Sequence, residues 1–188
     1  MKMTSLARPL TLFAAVFIAL SFAIACGDDD GSNPTADPSS SDNVNSYFAH
    51  VQAIFQQAED ATNEAEGRLN ETSPEADLDE RLSALETYLG EVDTIFNEAT
   101  GSLDGLSVPA AAVDGHQGFI DGVQVSLNAG NALRDDLQDI STEDGLDDRL
   151  AEFDNDVDAG VDQAAAACLA LQEIADKENT GIDLNCES

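Results

Sequence analysis

The stretch LDERLSALETYLGEVDTIFNEATGSLDGL, residues 78–106, decides the fold class of this chain. Its apolar residues are separated alternately by four and three positions, which is the period of an amphipathic α-helix and not the alternation of a β-strand. The positions that share this apolar face are Leu78, Leu82, Leu85, Leu89, Val92, Phe96, Ala99, Leu103 and Leu106.

Three other segments have the same period, so each is expected to form a helix with one apolar stripe and an acidic outer face. The stripe positions are Val44, Phe48, Val51, Phe55, Ala58, Thr62, Ala65 and Leu69 in the first segment, Val113, His116, Ile120, Val123, Leu127, Gly130, Arg134 and Leu137 in the third, and Leu146, Leu150, Phe153, Val157, Val161, Ala164, Cys168 and Leu171 in the fourth.

Turn-forming residues separate the four segments. Ser73-Pro74 is typical of a helix N-cap followed by a proline in the first turn, Pro109 is expected just inside the third helix, and residues 141–145 divide the third segment from the fourth. Such short connections make neighbouring helices antiparallel. The sequence therefore predicts an all-α fold, an up-down-up-down antiparallel four-helix bundle over residues 44–188 that follows a disordered N-terminal tether.

The N-terminal 26 residues have a different composition from the rest. Lys2 and Arg8 precede an apolar run over residues 10–25. The run ends in Ala23-Ile24-Ala25, and Cys26 follows it. This arrangement resembles a bacterial lipoprotein precursor, whose signal peptide ends in a lipobox cysteine. The resemblance covers residues 1–26 only. It implies that residues 1–25 are a signal peptide, that Cys26 is acylated, and that the protein is anchored to a membrane on the extracytoplasmic side of the cell envelope.

After Cys26 the chain is strongly acidic. Asp, Ser, Asn, Pro and Gly dominate as far as Asn43, so we expect residues 26–43 to be a disordered acidic tether. Without residues 1–25 the chain has five basic and 38 acidic residues, a net charge of −33. A field of this sign repels nucleic acid and favours cations or basic partners. Nucleic-acid binding is therefore excluded, and cations at the acidic surface remain possible partners.

The other two cysteines are predicted to form a structural disulfide. Acylation of Cys26 leaves Cys168 and Cys186 as a pair in an oxidising compartment. A helix that continues about ten residues past Cys168 rises about 15 Å, and residues 181–186, when extended, return over a similar distance. Thr180-Gly181 supplies the turn, so the disulfide closes the C-terminal tail onto the bundle.

His116 and His50 are the candidate ligand or metal-binding residues. His116 lies on the apolar stripe of the third helix, and His50 lies on the flank of the first, at a similar height if the two helices are parallel. A metal or haem site between them is one hypothesis. The positions three residues before each histidine hold Tyr47 and Val113 instead of the glutamates of a di-iron site. This favours a core histidine that is hydrogen-bonded to a neighbour such as Tyr47.

A group of aspartates in the fourth segment has nearly the spacing of a calcium-binding loop. Asp154, Asp156, Asp158 and Asp162 fit, but Gly160 is one position late and Ala165 occupies the place of the bidentate glutamate. The helical stripe also continues through these residues. The pattern favours a solvated helix face.

The sequence contains no Ser/His/Asp set, phosphate-binding loop or zinc knuckle, and we expect neither enzymatic activity nor a cofactor. Two functional hypotheses follow. In the first, the protein is a lipid-anchored structural or interaction module that contacts another envelope protein. In the alternative, it is a receptor that binds a small ligand or a cation, such as a metal or haem, inside the bundle near His116.

Overall fold

A computed structural model of the protein describes residues 41–73, 76–184 and 186. In these ranges the chain forms four α-helices and no strand. The helices are α1 (Ser41–Asn70), α2 (Leu78–Asp104), α3 (Val113–Asp136), which a 3₁₀ turn (Leu137–Asp139) extends, and α4 (Glu143–Lys177). The predicted all-α class and the four helices are confirmed.

The N-terminal boundary of the bundle differs slightly from expectation. α1 begins at Ser41, so residues 41–43, which we assigned to the tether, are helical. The predicted signal peptide, Cys26 and the rest of the tether lie outside the described residues. Among the helices that are described, none combines the length and the apolar character needed to span a bilayer.

The helices pack in the order in which they follow one another along the chain, and α1 and α4 close the ring with sparse direct contact. Contacts at the two ends show the helix directions. Arg81 at the start of α2 forms an ion pair with Glu143 at the start of α4. At the opposite end, Tyr47 near the start of α1 is hydrogen-bonded to His116 near the start of α3. The up-down-up-down arrangement is therefore the one predicted.

Two helix starts differ from prediction. α2 begins after Asp77, whose side chain accepts a hydrogen bond from the Glu80 amide at 3.0 Å, so Asp77 and not Ser73 is the N-cap. A carboxylate at this position accepts an unpaired helix amide and also favours the positive end of the helix dipole. Pro109 lies in the turn before α3, where its carbonyl accepts a hydrogen bond from the Ala112 amide.

The predicted apolar stripes form the core. All stripe positions of α1, α2 and α4 are buried or half-buried. Val113 was expected inside but is 48% exposed, because the turn before α3 places the fully buried Ala112 in the core instead. Tyr47, Tyr88 and Phe119 are buried beside the stripes. In α1, α2 and α3 the buried face therefore includes residues on either side of the stripe as well as the stripe itself.

α3 and α4 approach so closely that their backbones touch. A Cβ atom added to Gly122 would lie 2.5 Å from the Ala164 amide nitrogen, and one added to Gly160 would lie 2.7 Å from the Gly122 carbonyl oxygen. Real Cβ atoms do not make such contacts. Gly122 and Gly160 therefore mark the place where the two helices pack most closely.

The C-terminal tail reverses direction after α4. Asn179 and Gly181 both have positive φ angles, 53° and 69°, which turn the chain back along the helix. The sulfur atoms of Cys168 and Cys186 are at disulfide-bonding distance, and their Cα atoms are 5.5 Å apart. The predicted pairing is therefore the one found.

Residues 178–184, which we call the strap, connect α4 to α1. The Gln172 side chain of α4 donates a hydrogen bond to the Ile182 carbonyl at 3.1 Å, and Gln52 of α1 donates one to the Asp183 carbonyl at 3.1 Å. The Leu184 side chain is fully buried. The strap thus adds core packing at the seam where α1 and α4 have the fewest contacts of their own.

Candidate functional site

His116, the first candidate ligand residue, is a core residue at the end of the bundle where α1 begins. It is 7% exposed, and its Nδ1 atom lies 2.9 Å from the Tyr47 hydroxyl oxygen. The Tyr47 ring packs edge-on against Phe48, with the ring centroids 5.0 Å apart. The predicted hydrogen-bonded core histidine, with Tyr47 as its neighbour, is confirmed.

The surroundings of this pair keep both rings uncharged at neutral pH. Burial lowers the pKa of His116, and the negative charge of Asp104 at the end of α2 only partly opposes this effect. Burial also raises the pKa of Tyr47. When the neutral imidazole carries its proton on Nε2, its Nδ1 atom accepts a hydrogen bond from the Tyr47 hydroxyl. A metal ion at Nδ1 would have to displace this hydrogen bond.

His50, the second candidate, is exposed and bonds to its own helix. Its Nδ1 atom donates a hydrogen bond to the Ser46 carbonyl at 2.7 Å. The structure therefore does not bring His50 into the buried surroundings of His116. Across residues 41–73, 76–184 and 186, no three or more His, Cys, Asp or Glu side chains are grouped to hold a metal ion. The geometry gives the two-histidine metal or haem hypothesis no support.

The aspartates with near-calcium spacing lie inside the unbroken helix α4. Asp156, Asp158 and Asp162 are exposed, and Asp154 is half-buried. A helix spreads these carboxylates around its axis instead of converging them as a calcium loop does. The predicted solvated helix face is what forms.

Sequence reasoning missed five side-chain atoms that are buried without a hydrogen-bond partner in the described part of the chain. Two belong to arginines, Arg81 Nε and Arg149 Nη1, and the other three are the Tyr88 hydroxyl, Glu66 Oε1 and Asp154 Oδ1. Burial raises the pKa of Tyr88, Glu66 and Asp154, and the negative charge of Glu66 adds to the effect on Tyr88. These residues lie beside the stripe positions, so helical period gave no signal for them.

An open groove follows the outer side of the seam between α1 and α2. Its larger part encloses about 400 Å³. Half-buried aliphatic side chains such as Ile54 and Ile95 form the floor, and Gln57 and Glu98 stand exposed at the edges. Other residues of this part are Ala58, Ala61, Ala99 and Ser102.

A second part of the groove, of about 240 Å³, lies further along the same seam. Ala65, Leu69 and Tyr88 contribute its apolar surface. Arg68 of α1 crosses the seam here, with its Nη2 atom 2.9 Å from Glu91 Oε2 of α2. The two parts together extend along much of α1 and α2.

The fold and its contacts define an antiparallel four-helix bundle with a disulfide-held C-terminal strap. Comparison of the chain with protein-family models, with curated proteins and with solved structures finds no significant match. Any functional conclusion therefore rests on the residues and geometry of this chain.

Proposed function

We propose that the protein is a lipid-anchored module on the extracytoplasmic side of the cell envelope, with a structural or protein-interaction role and no enzymatic activity. The observation that carries the proposal is the basic N-terminus, the apolar run over residues 10–25 and the small residues that lead to Cys26. α1 begins 15 residues after Cys26. An anchor at Cys26 would thus hold the bundle near the membrane.

The bundle topology supports one orientation on that membrane. The start of α1, the Tyr47–His116 pair and the strap share one end of the bundle. If residues 27–40 form the disordered tether that the sequence predicts, they span about 20 Å, and the proposal turns this end of the bundle toward the bilayer. The aspartates of the predicted tether are repelled by anionic headgroups and keep the bundle off the surface.

An interaction role has more support than the receptor alternative. Nδ1 of His116 already has the Tyr47 hydroxyl as its partner, and His50 is exposed. The α1–α2 groove, by contrast, is open to solvent and large enough to accept side chains of another molecule. Metal content and visible absorbance of the purified protein separate the two hypotheses, because a metal or haem receptor would carry its ligand at stoichiometric amounts.

The anchor is tested by Cys26→Ser in the full chain, expressed in bacteria with radiolabelled fatty acid. We expect the variant to lose the lipid label and to leave the membrane fraction, because the serine hydroxyl cannot replace the acylated thiol. Cys186→Ser is the matched control, since it removes a thiol that we assign to the disulfide and should leave the lipid label unchanged. Full labelling of Cys26→Ser would contradict the proposal.

A further inference from the structure

The floor of the α1–α2 groove contains apolar side chains in both of its parts. Ile54 and Ile95 in its larger part and Leu69 in its second part pack on the core but remain partly exposed. From Ile54 to Leu69 the axis of α1 rises about 22 Å, the length of a helix of 15 residues. Amphipathic helices bind to grooves of this kind by placing their apolar face on the floor.

The walls of the groove are acidic. Glu98 stands beside the larger part, and Glu80 and Glu91 stand beside the second part. Arg68, a cation that lines the second part, is already paired with Glu91 and also lies near Glu64 and Glu71. Because carboxylates outnumber cations beside an apolar floor, the groove is complementary to a ligand that is apolar on one side and cationic on the other.

We propose that the α1–α2 groove binds a cationic amphipathic helix of another envelope protein, with its apolar face on Ile54, Ile95 and Leu69 and its Lys or Arg side chains against the flanking glutamates. This deepens the interaction role proposed above and rests on it, but it does not depend on the lipid anchor. The closely packed α3–α4 seam offers no comparable floor, since Gly122 and Gly160 bring the two backbones into contact.

The test uses the chain from residue 27 to 188, which contains every residue of the described core. The probe is a synthetic helical peptide of about 18 residues, built from Leu and Lys on opposite faces, and binding is measured by titration calorimetry. Ala61→Phe fills the groove, and Glu98→Lys reverses a charge at its edge. We expect each change to weaken binding about tenfold, which is about 1.4 kcal/mol.

Two matched controls lie outside the groove. Glu86→Lys makes the same charge change about 140° around α2 from Glu91, and Ala132→Phe adds the same ring to an exposed position of α3. Both should alter binding by less than about twofold. Circular dichroism verifies that each variant is folded.

Two results would contradict the groove proposal. If Glu86→Lys weakens binding as much as Glu98→Lys, the peptide is held by general charge attraction and the groove is not its site. If the wild-type chain does not bind the peptide, the proposed occupant is wrong. Neither result affects the lipid-labelling experiment, so failure of the groove proposal remains distinguishable from failure of the anchor.

Discussion

The two halves of the bundle join their helices by opposite means. In the α3–α4 half, Gly122 and Gly160 remove side chains from the seam, and the backbones touch. In the α1–α2 half, the seam contains larger side chains such as Ile54 and Leu69, which leave an open groove and the unpartnered Tyr88 hydroxyl beside it. Close backbone contact leaves no room for a ligand at the α3–α4 seam, whereas the open groove gives the other half a surface that a partner can use.

The largest expected effect is on the closed seam. Gly122→Ala places a Cβ atom 2.5 Å from the Ala164 amide nitrogen, so the α3 and α4 backbones must move apart. We expect a loss of about 3 kcal/mol in the free energy of unfolding, measured by urea denaturation, because backbone atoms yield less readily than side chains.

A glycine-to-alanine substitution in the α1–α2 half should raise the free energy of unfolding instead of lowering it. Gly67→Ala in α1 and Gly101→Ala in α2 add a Cβ atom that meets nothing within 4 Å. Alanine also favours the helix over glycine, so each change should stabilise the protein by up to about 1 kcal/mol. A neutral Gly122→Ala variant would show that the two halves do not differ in the way described.

The second effect concerns the strap. Cys168→Ala opens a loop of 18 residues, which should lower the free energy of unfolding by about 3 kcal/mol. Hydrogen exchange should show where this stability is lost. We expect protection to fall first in residues 164–176 and 112–120, at the strap end, and only later in residues 82–85 and 134–137 at the opposite end. Simultaneous loss at both ends would argue against a local role for the strap.

The third effect compares two buried tyrosines. Tyr47 and Tyr88 are 3% and 1% exposed, but only the Tyr47 hydroxyl has a hydrogen-bond partner, at 2.9 Å from His116. Tyr47→Phe leaves His116 Nδ1 unpaired and should lower the free energy of unfolding by about 1–2 kcal/mol. Tyr88→Phe removes an unpartnered hydroxyl and should be neutral or stabilising by up to about 1 kcal/mol.

Thermal unfolding of the two variants under identical conditions measures this contrast. Because each substitution removes one hydroxyl from a buried ring, the change in volume is matched. An equal loss for both would mean that the Tyr88 hydroxyl has a bonding partner in solution, such as a bound water molecule.

Sequence period was sufficient for the architecture because burial in a helix bundle repeats with the turn of the helix. The stripe through Leu85, Leu89, Val92 and Phe96 identified the inward face of α2 correctly. The prediction that Val113 is buried was wrong because the helical period alone does not show where a helix begins. Asp77 replaced Ser73 as N-cap for the same reason, since either residue can cap a helix.

Period could not predict what lies between the helices. It assigns faces, but the distance between two faces depends on both partners, so it could not predict the contact of Gly122 with Ala164. The sequence could suggest Tyr47 as the partner of His116 because Tyr47 lies next to the stripe residue Phe48 and near the expected height of His116. The burial of Glu66 near Tyr88 and the α1–α2 groove depend on the three-dimensional packing of two helices, and no local pattern encodes them.

The smallest expected effect is a pH dependence that arises in the looser half. Burial raises the pKa of Glu66 above its ordinary value of 4.5, so the folded state binds a proton more readily than the unfolded chain does. This carboxyl therefore contributes stability that is fully present below pH 4.5 and is lost as the pH rises through its folded pKa. His116 acts in the opposite direction. Its pKa is lowered from 6.5, so its contribution is present above pH 6.5 and is lost as the pH falls through its folded pKa.

Glu66→Gln isolates the carboxyl from the histidine. The variant keeps the shape of the side chain but has no charge to bury, so it should unfold at a higher temperature than the wild type at neutral pH. The difference should shrink as the pH approaches 4.5, where the wild-type carboxyl becomes neutral as well. Glu86→Gln, on an exposed position of α2, is the control for the loss of one negative charge. If both variants raise the melting temperature equally at every pH, relief of general charge repulsion explains the gain, and burial of Glu66 does not.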